Sequence, residues 1–370
     1  MAAESGMIAF GIEEEFLLLD PATAQPRPVA PLVRAGVPDS AAGAFQVSPE
    51  LLACQIETAT PVCHLLSEAV GSLQAFRSAL AAAAGQAGAV AAGIGVVYDA
   101  GHAPAVVSDV DRYQHMQAST PALIADEYVT GMHVHAEVVD PDSRVQVMNR
   151  CRRWLPTFVA LTANSPYWNG VESGFASWRS ILYRRWPIQG APPVFRDFAD
   201  YQDRTRRLMD SGVAPDPGYI SWLLRLSVNY PTLEFRCADS QLTAGDSVLA
   251  AALLRALAAT EARDALTRPP VRQPRPEHLD IALWQAARNG LDGALIDLRT
   301  GQLVPARQQL DALLEHTRAA LEELGDYAHV REELTRVLAE GNGAQRQRRA
   351  MHRGGLPAWL ELARSSLTAS

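Results

Sequence analysis

Cysteine is scarce in this 370-residue chain: Cys54, Cys63, Cys151 and Cys237 lie far apart, with no C-x-x-C spacing. That argues against a disulfide framework and a cysteine zinc site, and for reduced thiols in a cytoplasmic protein. Positive charge is in deficit as well. Thirty-three basic residues against 41 acidic ones leave a net charge of −8. Nucleic acid is not an expected partner, because the phosphate backbone demands a basic footprint. No run is apolar enough to favour a membrane span, since the longest weakly polar stretch, 79–97, is mostly alanine and glycine. No secretory leader is expected, because Glu4 and an acidic cluster interrupt the N-terminus before any apolar stretch forms. Glycine builds no phosphate loop either: Gly93-Ile94-Gly95 lacks the third glycine and the lysine that such a loop needs.

What is present is a set of acidic strands. In Phe10-Gly11-Ile12-Glu13-Glu14-Glu15-Phe16, apolar residues recur with period two, the pattern of a β-strand. Parity puts Glu13 and Glu15 on one face and Glu14 on the other. An exposed strand with solvated glutamates would read the same way. A second acidic segment, 45–60, carries Glu50 and puts Glu57 opposite Ile56. Gly131-Met132-His133-Val134-His135-Ala136-Glu137 alternates too, with both histidines on one face, where they can reach a metal or a phosphate or be hydrogen-bonded within the sheet. Leu233-Glu234-Phe235-Arg236 places an acid and an arginine on one face, as a surface ion pair or as a divided site. Arg179 lies among small and aromatic residues, which favours an enclosed anion site.

The remainder reads as support. Residues 21–38 look like loop, 65–92 like a long helix and 148–163 like another. From Asp246 onward the chain is helical, with segments at 250–266, 281–287, 308–324, 330–338 and 356–364. The expected organisation is one domain over 1–370, strand-rich over 1–240 and mainly helical over 241–370, an α+β fold. If the strands share a sheet, Glu13, Glu15, Glu57 and Glu234 crowd together and repel by several kcal/mol at an effective dielectric near ~20. Cations resolve that repulsion, and hard oxygen donors select magnesium or manganese. Arginines beside such metals are what phosphoryl transfer requires. A metal-dependent hydrolase using the same acids with His133 and His135 remains an alternative, as does a catalytically silent relative that binds a nucleotide or amino acid.

Taken in order, the segments 10–16, 56–61, 131–135, 177–179 and 233–236, together with 163–168, 286–291 and 342–348, resemble the bacterial carboxylate–amine ligases, the second glutamate–cysteine ligase family. The resemblance departs at 93–104, where members carry a Gly-Thr-His-Pro-like turn. It implies a glutamine-synthetase-like antiparallel sheet with a polar concave active-site face, backed by helices. It further implies an enzyme that phosphorylates a small carboxylate with ATP and lets an amine displace the phosphate, with glutamate and cysteine as one pair. On this resemblance Glu13, Glu15, Glu57 and Glu234 are magnesium ligands with Glu50 and His133 beside them. Arg179 and Arg236 are catalytic, Arg236 also holding the nucleotide, and Arg179, His135 and Trp222 meet the substrate. Whether the enzyme is a homo-oligomer is left open.

Overall fold

The computed structural model describes residues 8–38 and 45–369. Its centre is a seven-stranded sheet. The strands are β1 (Phe10–Leu19), β2 (Gln46–Pro49), β3 (Gln55–Ala59), β4 (Val90–Ala92), β5 (Gly131–Glu137), β6 (Leu224–Leu226) and β7 (Thr232–Asp239). Their order is β6-β7-β5-β1-β3-β2, with β4 paired to the end of β1, and every pairing is antiparallel. The acidic strands thus do share one sheet, with β1 in its interior.

The alternation of β1 decides what lies behind it. Phe10, Ile12 and Phe16 are fully buried on the back face. Helix α1 (Ala30–Gly36) and the long helix α2 (Leu66–Gln86) pack on this side, and the rings of Phe16 and Phe76 stand 5.7 Å apart. Truncating a ring so enclosed costs about 3–5 kcal/mol. The back face holds one charged member. Glu14 is 0% exposed, and Arg77 of α2 grips both its carboxylate oxygens, at 2.9 and 2.5 Å. The same guanidinium donates to the carbonyls of Gln241 and Leu242. One buried pair therefore ties β1, α2 and the start of the C-terminal helices together.

Three local expectations are corrected. Within 21–38, residues Ala30–Gly36 form α1 rather than loop, with Pro31 in its first turn, where a missing N–H costs nothing. The long helix ends at Gln86, Gly88 adopts a φ of 68°, and the chain returns as β4. The helix expected over 148–163 is two helices, Pro141–Cys151 and Leu155–Leu161, parted by a 3₁₀ turn just before Pro156. The C-terminal helices are all present and longer than expected, running Ala244–Thr267, Pro276–Asn289, Ala306–Leu324, Tyr327–Glu340 and Gly343–Leu367, the last broken by a kink at Gly354 and Gly355. The first of them packs on the back of β5 and on α2.

Candidate active site

Register brings the acids together. Glu13 pairs with His133, Glu15 with Glu57, and Glu234 with His135 across neighbouring strands. Directly opposed residues share a face, so these six side chains form a continuous floor. Above it opens a cavity of about 470 Å³, also lined by Glu50, Arg179, Tyr183, Arg225 and Arg236.

The floor is short of positive charge. Nδ1 of His133 lies 3.0 Å and Nε2 of His135 3.2 Å from the two oxygens of Glu13. Burial works against the charged form of Glu13, but bonding to these histidines overcomes it and holds the carboxyl far below its usual range. Its neighbours are less closely matched: Nε2 of His133 stands 3.7 Å from Glu15. Burial and then the charge of Glu15 push Glu50 up to about 7. Burial, with Glu50 and Glu13 next, raises Glu57 well above a normal carboxyl, although Ser48 donates to it at 2.9 Å. Burial also raises Glu15, against the pull of Arg179 and the Gly131 amide at 2.6 Å. Burial lowers His133 to about 4, with Arg236 adding to the effect. An enclosed group of carboxylates that resists ionisation fits an incoming cation. Ligand atoms of Glu13, His133 and Glu234 lie within 4.8 Å of one another, as do those of Glu15, Glu57 and His133.

The cationic side is all arginine, since the chain contains no lysine. Arg236 donates to Glu234 and to the Tyr183 hydroxyl, and Arg179 lies over the Tyr183 ring, 5.1 Å from its centroid. In both arginines Nε is buried without a partner among the described residues. Arg179 is set by a polar network beneath it. Buried Asp239 accepts from the Asn164 amide, Ser165 and Ser177 at 2.7–2.8 Å, and Ser165 in turn accepts the Arg179 amide at 3.1 Å. Gly131 makes room for the guanidinium: a Cβ there would lie 2.3 Å from Nη2 of Arg179. Gly95 does the same for Asp239, at 2.7 Å. The atypical 93–104 segment thus runs under this network, and none of its residues lines the cavity.

Sequence reasoning missed Tyr183, Asp239 and two further residues. Arg225 on β6 grips Glu234 with two bonds of 2.7 and 2.9 Å; with Arg236 it overrides the effect of burial and holds Glu234 down at about 2. Any cation at Glu234 therefore competes with two guanidinium groups. Glu127, raised by burial to about 7, accepts from Trp186 at 2.9 Å and Arg185 at 3.0 Å on the cavity wall. One expectation is corrected. Trp222 does not meet the cavity; it is buried in the core against Phe195 and Tyr201, and its neighbour Ser221 faces the site instead.

A buried acidic floor facing arginines with unspent donors, on an antiparallel sheet, suits cation-assisted phosphoryl transfer, and the family to which the chain belongs makes it an ATP-dependent carbon–nitrogen ligase. The sequence profile of glutamate–cysteine ligase family 2 (GCS2) matches residues 9–361, and the chain belongs to that family. A relative from Nocardia farcinica, provisionally named glutamate–cysteine ligase 2-1, is 41% identical over 92% of this chain and 88% of its own. One from Salinispora arenicola, provisionally named glutamate–cysteine ligase 2, is 42% identical over 94% and 91%. The fold is shared with a glutamate–cysteine ligase from Francisella tularensis in complex with AMP, at a TM-score of 0.73 and 10% identity over 98% of this chain and 89% of that one. It is shared too with a bifunctional glutathione synthetase from Pasteurella multocida, at 0.69 and 15% over 97% and 52%. Among the described residues no helix is long and apolar enough to cross a membrane.

Proposed function

We propose that this ligase joins a small amino-acid carboxylate to an amine through an acyl phosphate, with glutamate and cysteine the first pair to test. A carboxylate oxygen attacks the γ-phosphorus of ATP and ADP leaves. The amine nitrogen then attacks the acyl carbon, and phosphate departs with the former carboxylate oxygen. The observation that carries this reading is the pair of buried guanidinium groups, Arg179 and Arg236, whose Nε donors have no partner among the described residues. Such donors are met by phosphate oxygens, and their benefit grows as charge moves during transfer. Arg179 and His135 orient the carboxylate substrate, Arg236 holds the transferring phosphoryl group, and Tyr183 keeps the two arginines apart.

The donor set fits magnesium or manganese. Glu13, Glu15, Glu57 and His133 would hold the ions, with Glu50 beside them and Glu234 shared with Arg225 and Arg236. Bound there, the ions would neutralise phosphate charge as it develops. The four buried, free cysteines support a cytoplasmic setting. The intact acidic set and both arginines speak against a silent relative. The deciding experiment is a screen of amino-acid pairs for ATP-dependent phosphate release with magnesium, followed by ¹⁸O-labelled carboxylate. Label in the released phosphate is expected; release without label transfer would refute the acyl phosphate.

A further inference from the structure

Behind the turn 227–230, which joins β6 to β7, lies a second cavity of about 370 Å³. It is mainly apolar, with Phe198, Tyr201, Met209, Ile220 and Leu226 in its wall, and no acidic side chain lines it. Its charged member outside the ligation site is Arg144, on helix Pro141–Cys151 and only 9% exposed. Nη1 of Arg144 reaches the Tyr230 carbonyl at a long 3.4 Å, and Nε is buried with no partner among the described residues. Asp140, one turn earlier, does not take that donor; its carboxylate caps the helix on the Ser143 amide at 2.7 Å. The Tyr201 hydroxyl accepts from the Leu226 amide at 3.3 Å and keeps its own hydrogen to donate.

A buried guanidinium with an unspent donor is costly to leave unmatched. In an apolar hollow with no acid, the group that answers it is a carboxylate, through forked charge-assisted bonds. The remaining wall favours an apolar body, and the volume suits a small molecule. We propose that this cavity is a second binding site, for a small monocarboxylic acid with an apolar or aromatic body whose carboxylate seats on Arg144. The site is separate from the ligation cavity but shares a wall with it, Arg225 and the turn 227–230. Arg225 donates from one side to the carbonyls of Ile220 and Pro217, at 2.9 and 3.3 Å, and from the other to Glu234. Both carbonyls belong to residues of the second cavity's wall, so filling it shifts the fork that sets Glu234. The occupant is therefore an effector of turnover, whichever carboxylate and amine are joined.

The test uses the full-length enzyme and phenylacetate as probe, with the uncharged phenylacetamide as comparison. Binding is read by calorimetry and by the fluorescence of Trp222, whose ring lies 6.3 Å from that of Tyr201. Saturable phenylacetate binding is expected with or without saturating magnesium–ATP, and phenylacetamide should bind about tenfold more weakly or worse, the loss of a charge-assisted bond. Arg144→Met should weaken phenylacetate by a similar factor, and Met209→Trp, which fills the hollow, should abolish its binding and with it any response of turnover to phenylacetate. Turnover of the unaltered enzyme should change with the same half-saturation as binding. If Arg144→Met fails to fold, Met209→Trp and the amide comparison still decide. Absence of saturable binding, equal binding of acid and amide, turnover indifferent to bound phenylacetate, or its displacement by magnesium–ATP would each overturn the proposal.

Discussion

Replacing Arg77 by methionine tests the anchoring of β1 directly. Both partners of the Arg77–Glu14 pair are 0% exposed. The variant strands a carboxylate that keeps Ser247 as a hydrogen-bond partner, and it takes a donor from two buried carbonyls. Breaking a buried pair on one side costs about 3–5 kcal/mol, most of it from the uncompensated charge. Unfolding entropy of about 2.1 cal/mol/K per residue, over 370 residues, gives roughly 0.8 kcal/mol per degree. The expected fall in Tm is therefore about 4–6 °C. Adding Glu14→Gln removes the stranded charge and should restore at least half of that loss, a coupling that a double-mutant cycle isolates. Thermal melts of the two single variants and the double variant measure it. A change under about 1 °C in Arg77→Met, or a double variant as unstable as the two singles combined, would refute the reasoning, because it would mean that the two side chains are not energetically coupled.

Three further outcomes are expected. Arg236→Lys keeps the charge but loses the fork, so turnover should drop on the order of a hundredfold while the KM for ATP changes far less; near-normal turnover would remove β7 from the chemistry. Asp239→Asn leaves the size intact but cannot accept from Asn164, Ser165 and Ser177 together, so it should lower kcat roughly tenfold or more by loosening Arg179, and a variant with full activity would show that Arg179 needs no such support. Asp246 feels burial first, but Arg346 and Arg336 at 2.8 and 2.7 Å prevail and hold its carboxyl below the usual value of 3.8. A depressed carboxyl stabilises the fold in full above its ordinary value and loses that contribution as the pH falls toward the lower folded one, so Asp246→Asn should destabilise at pH 7 and flatten the loss of Tm below about pH 4; an unchanged acid limb would contradict this.

Much of the floor was legible because strands write their faces into the sequence with period two. Glu13 and Glu15, Glu57, His133 and His135, and Glu234 and Arg236 could each be assigned to a polar face from parity alone. The same parity sets Glu14 apart, yet nothing local names Arg77, 63 residues away, as its partner. Arg225 has a readable signal in the sequence. Leu224-Arg225-Leu226 and Leu233-Glu234-Phe235 are the two arms of a hairpin, and antiparallel register sets Arg225 opposite Glu234. Trp222 failed for the complementary reason: its neighbour Ser221 faces the cavity, so a residue one step along the strand turns into the core. Asp239 and Glu127 were beyond local reading, because their partners come from segments far along the chain.

The absence of lysine gives the site an asymmetry with a physical consequence. Arginine stays charged at every accessible pH, and its planar fork fixes direction as well as charge. Arg179, Arg225 and Arg236 therefore present a constant positive side, each held by neighbouring groups. The acidic floor is the reverse. Glu13 and Glu234 are held ionised by histidines or arginines, whereas burial draws Glu15, Glu50 and Glu57 toward the neutral form. Charge on one side is permanent and on the other depends on what is bound. A polyanion that arrives alone meets arginines already partly committed to Glu234. One that arrives with cations meets a floor that gains by ionising and arginines with free Nε donors. On the proposed function, the geometry would favour a nucleotide accompanied by its metal over the nucleotide by itself, through the same buried carboxylates that would be a liability in an empty site.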